Sequence, residues 1–184
     1  PDAARRVPTG RGLHTYCSRD NGGSRVGLEP VGTVPTHAPA EPIGVLDHAV
    51  DVLGLRAIMC TGLVQRPLRG ENLPRGARWL DALGLDSEYD YDPFWTRCVE
   101  LGVPVTCHSG TTSIGLRRSP SLYMYNHVGH FASAGEAVAQ ALVLGGVMHR
   151  HTALPVAFLE ARVAWVVRPL RALPPRGGKR GGAV

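Results

Sequence analysis

The sequence lacks the features that mark several large classes of protein. No run of 18 uncharged apolar residues occurs, which excludes a membrane-spanning helix. The G-x-S-x-G, P-loop and G-x-G-x-x-G motifs are missing, so nothing supports a serine nucleophile elbow or nucleotide binding. The four cysteines form no C-x-x-C pair, and the N-terminus has no apolar signal segment. We therefore expect reduced thiols in a cytoplasmic protein.

The positive charge of the chain is confined to its two ends. The formal net charge is +5, but residues 1–25 carry +3, residues 161–184 carry +6, and residues 26–160 carry −4. Basic ends without an RNP, zinc-finger or helix-turn-helix spacing are weak grounds for nucleic-acid binding. We expect neither a nucleic-acid nor a membrane partner.

Composition divides the 184 residues into three parts. Residues 1–27 are poor in apolar side chains and rich in Arg and Gly, which predicts an irregular segment. Residues 169–184 form a basic Pro/Gly tail, which predicts disorder. The folded domain is expected over residues 28–168.

Short apolar runs alternate with helical patterns in this middle part. The runs predict four buried strands, within residues 28–35, 55–60, 103–107 and 155–159. Helices are predicted over 41–53, from Asp92-Pro93 to Gly102, over 131–144 and over 161–170. Continuous apolar strands between helices are typical of parallel βα units, because such strands are buried on both faces.

About four βα units can be counted, whereas a complete eight-unit barrel needs roughly 200–250 residues. The pattern alone therefore fits either about half of a (β/α)8 barrel or a small open sheet. The long segment 61–91 between the second strand and the next helix is expected to be a loop, and a connection of that length suggests a lid.

Two candidate functional residues follow strands directly. In parallel α/β folds, functional groups lie at the carboxyl ends of strands. His108 follows the third predicted strand and precedes Ser109-Gly110, so its imidazole is a candidate Zn²⁺ ligand, or else it bonds a loop carbonyl. Glu160 follows the fourth strand and is a candidate metal ligand, acid/base group or histidine partner, or else it pairs with Arg162.

The other histidines are less informative. His127 lies beside Asn126 in the tyrosine-rich segment SLYMYNHVGH, where it either lines a pocket or docks the loop. His149 and His151 flank Arg150 and are expected to be exposed loop residues.

Five stretches in the same order resemble the amidohydrolase-related family, the metal-dependent TIM-barrel hydrolases and decarboxylases that include aminocarboxymuconate-semialdehyde decarboxylase. The stretches are residues 89–108 (YDYDPFWTRCVELGVPVTCH), Ser109-Gly110, residues 125–129, residues 145–147 and residues 156–165 (VAFLEARVAW). The segments EPVGTVPTHAPAE and LDHAVDVLGLRAIM resemble earlier βα units of the same family. The resemblance covers roughly residues 28–167 and implies a partial TIM barrel.

This resemblance implies a divalent metal, often Zn²⁺, at the carboxyl end of the barrel. The family's ligands are an H-x-H or E-x-H pair, a middle-strand His that matches His108, and a late Asp. Glu160 stands where many decarboxylases carry a second His, so the resemblance implies that it acts as an acid/base group or holds a metal ligand in place. Tyr123, Asn126 and His127 are expected to shape the substrate pocket.

The first-strand pair and the late Asp have no counterpart in this sequence, so we expect the central portion of such a barrel. The implied function is a metal-dependent hydrolase acting on a small carboxylated or cyclic substrate, with non-oxidative decarboxylation as the alternative. A further alternative is an inactive module that assembles through open sheet edges, as a homo-oligomer or with a complementing barrel half.

Overall fold

The structure, a computed structural model, describes residues 3–21, 29–108, 119–128 and 130–161. The chain divides into two units, each described by itself. The first comprises Pro1–Thr61, Tyr89–His108 and His151–Phe158, and the second comprises Gly62–Glu88, Ser109–Arg150 and Leu159–Val184. No helix in the described ranges is both long and apolar enough to cross a bilayer.

The first unit is built on a four-stranded parallel sheet. Its strands are β1 (Gly32–Thr33), β2 (Ile58–Cys60), β5 (Val105–Cys107) and β6 (Val156–Phe158), in the spatial order β1-β2-β5-β6. All four fall inside the predicted apolar runs. With its helices, the sheet is a partial α/β barrel, as the βα pattern and the family resemblance implied.

The described part of this unit has three α-helices: α1 (Ala3–Asn21), α2 (Ala40–Asp47) and α3 (Asp92–Glu100). The helix predicted over 41–53 is present, but its last part is a π-helical turn, His48–Val52. Gly54 and Gly102 follow with φ of 67° and 64°, the left-handed conformation that glycine adopts readily after a helix. The Asp90 carboxylate, one residue before the N-cap Tyr91, accepts the Asp92 N–H at the start of α3 at 2.9 Å.

The two faces of the sheet differ in burial. One row of paired residues faces the helices, and its members Ile58, Val105, Cys60 and Cys107 are at most 5% exposed. The other row is Thr33, Met59, Thr106 and Ala157, which are half-buried or exposed. We call this second row the open face. In a barrel, the face that turns away from the helices is the interior.

The N-terminal segment is helical, and the irregular structure predicted over 1–27 is therefore wrong for residues 3–21. Intrinsic preference does not explain α1, which contains Pro8 and two glycines. Tertiary contacts do: the Arg6 guanidinium makes a two-pronged ion pair with Glu41, and Arg11 donates to the Gly44 carbonyl at 2.8 Å. A sequence pattern does not show such partners.

The second unit contains a β-hairpin where the sequence predicted a loop and suggested a lid. Strands β3 (Val64–Pro67) and β4 (Arg78–Asp81) pair antiparallel. Asp81 is fully buried and accepts from Arg66 Nε at 3.0 Å, from the Leu83 N–H at 2.8 Å and from Ser87 Oγ at 2.8 Å. These three donors hold the end of the hairpin and the turn after it in a single arrangement.

Within the described residues, the helices of the second unit are α4 (Tyr123–His127), α5 (His130–Leu144) and α6 (Val147–Arg150). Helix α5 agrees with the prediction over 131–144. Gly145 follows it and lies against Gly84, and a Cβ on Gly145 would overlap the Gly84 carbonyl. The predicted helix over 161–170 and the tail over 169–184 lie outside the described residues, apart from Ala161.

Replacing Gly145 by Ala is expected to lower the free energy of unfolding by about 1–3 kcal/mol, because main chain must move to admit the methyl group. The matched control is Gly12→Ala in α1, where a Cβ meets nothing within 4 Å. That change is expected to raise stability by about 0.5–1 kcal/mol through helix propensity. Urea unfolding measures both, and equal stability of the two variants would contradict the close approach at Gly84.

Asp81→Ala is expected to cost about 3–5 kcal/mol, because it leaves the buried Arg66 charge without its carboxylate. Glu88→Ala is the control, since the Glu88–Arg69 pair is exposed and 4.0 Å long; its loss should cost less than about 1 kcal/mol. Tryptophan fluorescence during urea unfolding follows both variants. Similar midpoints for Asp81→Ala and the unmodified protein would show that the ion pair does not hold the hairpin.

Candidate functional site

His108 lies at the carboxyl end of β5, where the sequence predicted it. Its N–H donates to the Cys60 carbonyl at 2.9 Å, which continues the β2–β5 ladder one residue beyond the strand. Successive side chains of a strand point to opposite faces. Since Cys107 faces the helices and Thr106 lies on the open face, the half-buried His108 belongs to the open face.

Three cysteines lie on the opposite side of this sheet. Cys60 and Cys107 are opposite each other in the register, with their Sγ atoms 3.7 Å apart, and Cys98 comes from α3. The hydrogen bond with Cys60, together with burial, raises the pKa of the Cys107 thiol. Burial, and to a lesser extent the neighbouring Cys60, raises the pKa of the Cys98 thiol to about 12. These thiols are therefore protonated packing groups, and a Cys107–His108 dyad is excluded by their opposite faces.

Glu160 comes two residues after β6 and is exposed. Its backbone has φ of 56°, a left-handed conformation that non-glycine residues adopt uncommonly. Such conformations cost free energy and cluster at functional sites, so this one agrees with a role but does not define it. Arg162, its alternative partner, lies outside the described residues.

Tyr123 and His127 come together on α4 in the second unit. Their rings stack with centroids 5.1 Å apart, the Tyr123 hydroxyl lies 3.2 Å from His127 Nδ1, and Phe131 meets His127 edge-on at 5.1 Å. Tyr123 is 65% exposed. The pair thus presents an aromatic ring surface with the Tyr123 hydroxyl at its edge, which suits an aromatic or cyclic ligand.

Asn126 holds the main chain of Ser119 through two hydrogen bonds, which its position in the sequence did not predict. Its Oδ1 accepts the Ser119 N–H at 2.6 Å, and its Nδ2 donates to the Ser119 carbonyl at 2.8 Å. Both ends of the amide are therefore engaged with main chain. Asn126 anchors the start of the segment that carries Tyr123, and direct contact with a substrate stays a prediction.

Other polar contacts were not visible from sequence spacing. His149 is exposed as expected, but His151 is half-buried, with its Nε2 3.3 Å from the Asp92 carboxylate. The Tyr91 hydroxyl donates to the Thr36 carbonyl at 2.6 Å. Both contacts tie the start of α3 to loops beside the sheet, and both partners are more than 50 residues apart in sequence.

The divalent metal that the family resemblance implies needs several His, Cys, Asp or Glu side chains close together. Within the described ranges, no group of three or more His, Cys, Asp or Glu side chains is placed to hold a metal ion. Protein zinc sites use three or four such ligands. The described residues therefore supply His108 as a single imidazole and do not form a metal site by themselves.

A cavity of about 690 Å³ lies at the other end of the sheet, where β2 and β5 begin. Its lining residues are Glu29, Val50, Gly54, Leu55, Arg56, Leu101, Gly102, Val103 and Pro104. In barrel enzymes the active site lies at the carboxyl ends of the strands, and residues at the amino ends contribute to stability. This cavity is thus not the candidate site.

Comparison with known proteins agrees with this architecture. The family model described as amidohydrolase matches residues 24–179. The chain therefore belongs to the amidohydrolase family. No curated protein sequence matches it significantly.

Several solved structures share the fold. An amidohydrolase from Mycobacterium avium subsp. paratuberculosis matches with a TM-score of 0.67 and 21% identity, over 95% of this chain and 43% of its own. A 2,6-dihydroxybenzoate decarboxylase from Rhizobium matches with a TM-score of 0.62 and 20% identity, over 85% of this chain and 46% of its own.

A dihydroxybenzoic acid decarboxylase from a Polaromonas species, with bound manganese and the inhibitor 2-nitroresorcinol, matches with a TM-score of 0.61 and 18% identity. The match covers 84% of this chain and 44% of the decarboxylase. The chain spans less than half the length of each of these three structures.

The buried thiols give a test of the sheet. At pH 8 the folded protein is expected to alkylate Cys98 and Cys107 about a hundredfold more slowly than the protein in urea, because the thiolate is the nucleophile. The hydrogen bond with Cys60 and burial raise the pKa of Cys107 above the ordinary 9.0, and burial does the same for Cys98. The free energy of unfolding is therefore also expected to fall as the pH rises past about 9. Peptide mass spectrometry locates the label, and equal labelling rates in both states would contradict the burial.

Proposed function

We propose that this chain is part of a cytoplasmic, metal-dependent enzyme of the amidohydrolase family that acts on a small carboxylated or cyclic substrate. The observation that carries the proposal is the position of His108. It ends a central strand of a parallel sheet, at the end where such folds carry their chemistry, and it belongs to the face that turns away from the helices.

In this proposal His108 is one ligand of a divalent metal ion, and the other ligands come from outside the described residues. The manganese in the Polaromonas decarboxylase supports a divalent metal in a protein of this fold. An imidazole nitrogen binds Zn²⁺ and Mn²⁺ alike, so His108 does not distinguish between them.

The other candidate residues have roles in recognition and proton transfer. The stacked rings of Tyr123 and His127 are proposed to contact the substrate, with Asn126 holding their segment in place. Glu160 is proposed as an acid/base group, since it is an exposed carboxylate held in an uncommon backbone conformation. Two decarboxylases among the similar structures, both acting on dihydroxybenzoates by name, favour decarboxylation as the reaction to test first.

A second candidate function is that of a catalytically inactive module that assembles with another copy, or with a complementing barrel half, through the open edges of its sheet. The observation that favours it is that β1 and β6 are the edge strands of the four-stranded sheet in the described residues, because edge strands can pair with another chain. The two candidates differ in turnover. Carbon dioxide release from 2,6-dihydroxybenzoate in the presence of Mn²⁺ supports the enzyme, and metal binding without turnover supports the module.

The metal role of His108 can be tested without activity. Substoichiometric Mn²⁺ is expected to broaden the imidazole NMR signals of His108 at concentrations at least tenfold lower than those that affect the exposed His149. The reason is that paramagnetic broadening reports the nearest nuclei, and that in this proposal His108 binds together with further ligands, whereas His149 offers a single imidazole.

His108→Ala is expected to abolish the selective binding, and His149→Ala is expected to leave it unchanged. Broadening that spares His108 while other histidines respond, or binding that survives His108→Ala, would refute the assignment of this residue as a metal ligand.

A further inference from the structure

The edge of the sheet at β1 is covered by α1. The Gly32 and Val34 N–H groups donate to the Ala57 and Met59 carbonyls of the neighbouring strand, at 3.0 and 2.8 Å. Since main-chain groups of successive strand residues point to opposite sides, the N–H and C=O of Thr33 point away from β2. In a closed barrel a further strand would pair there. Here the space beside Thr33 belongs to the N-terminal helix.

Two residues one helical turn apart bring α1 against this edge. A Cβ on Gly10 would lie 3.9 Å from the Thr33 carbonyl oxygen and 3.5 Å from Val45. His14 follows four residues later, and its Cε1 lies 3.4 Å from the position of a Cβ on Gly32. The missing side chain at Gly10 lets the helix approach closely, and the His14 ring fills the space above Gly32.

His14 is an unusual residue for such a contact. It is only 2% exposed, and neither ring nitrogen makes a hydrogen bond of good geometry. Burial lowers the pKa of His14; the Thr33 backbone opposes this shift, and the charge of His48 adds to it. A buried imidazole without a carboxylate partner packs well when neutral and is costly to charge in place.

The carboxylates on the elements packed against α1 are paired with arginines, so they do not balance the positive charge of a protonated His14. Glu41 is engaged by Arg6, and Asp47 and Asp51 are both bonded to Arg97, at 2.8 and 3.5 Å. The remaining titratable side chain there is His48, which carries the same sign of charge as a protonated His14. The other charged groups among the described side chains of helix α1 are Arg5, Arg6 and Arg11, which are also positive.

We propose that α1 is a releasable cover of the β1 edge, docked while His14 is uncharged and released when His14 takes up a proton. Helix α1 precedes the matched family segment, which begins at residue 24. The cover lies where a further strand would pair in a closed barrel. Its release exposes the main-chain groups of Thr33 to solvent and to any strand that can pair with them.

The sign of the pH effect follows from proton uptake. The released helix carries His14 with an ordinary pKa near 6.5, and the docked helix carries it with a lower one. Below about pH 6.5 the released state therefore binds more protons than the docked state, and docking weakens as the pH falls. One coupled proton corresponds to about a tenfold loss of protection per pH unit within this window.

Hydrogen exchange of the full chain between pH 7.5 and 5.0, expressed as protection factors, tests the proposal. The amides of residues 9–16 and the Thr33 amide are expected to lose protection together below about pH 6.5, by up to about tenfold per unit. His14→Met, which keeps an uncharged side chain of adaptable shape, is expected to remove this pH dependence. His149→Gln, at an exposed site in the other unit, is expected to retain it.

A charge reversal tests the docking geometry at neutral pH. Arg6→Glu faces Glu41 and is expected to release α1 at pH 7.5, whereas Arg5→Glu changes an exposed neighbour and is expected to leave α1 docked. The proposal is overturned if His14→Met and the unmodified chain lose protection in parallel as the pH falls. It is equally overturned if Arg6→Glu leaves the protection of α1 unchanged.

Discussion

The parallel pairing of β2 with β5 is the interaction on which the rest of the first unit depends. It places Ile58 opposite Val105 and Cys60 opposite Cys107, so one face of the sheet is a continuous apolar layer against the helices. Because side chains alternate, the same register assigns Thr106 and His108 to the other face. A slip of one residue would exchange the two faces and send the imidazole into the helix layer.

The features that follow from local sequence could be predicted. The four strands are short apolar runs bounded by Gly or Pro, and the two glycines after the helices have the left-handed backbone that such positions need. His108 could be singled out because a polar residue directly after a buried strand lies at the functional end of a parallel sheet. Each of these inferences uses neighbours within about ten residues.

The features that depend on distant partners could not be predicted. Helix α1 has weak intrinsic preference and is held by Glu41, 35 residues away from Arg6. The hairpin in the predicted loop depends on Asp81, whose partners Arg66, Leu83 and Ser87 become evident only after the strands pair. Asn126 looks like a pocket residue in sequence, yet its amide is engaged with the Ser119 main chain.

The candidate site has the His108 imidazole in a suitable position but lacks, among the described residues, the further side chains that a metal ion needs. The fold puts His108 at the functional end of the sheet, while the described residues bring no second and third ligand beside it. The chain belongs to the amidohydrolase family and spans less than half the length of the similar structures, and helix α1 lies against one edge of its sheet.

The face to which His108 belongs can be measured directly by nuclear Overhauser effects from its ring protons. We expect Overhauser effects from the His108 ring to the Thr106 and Met59 side chains, which share the open face. We expect none to Phe94 or Cys98 on the helix side. Contacts of the His108 ring with Phe94 or Cys98 would contradict it, because the imidazole would then be buried under α3 and could not take part in a site at the interior of a barrel.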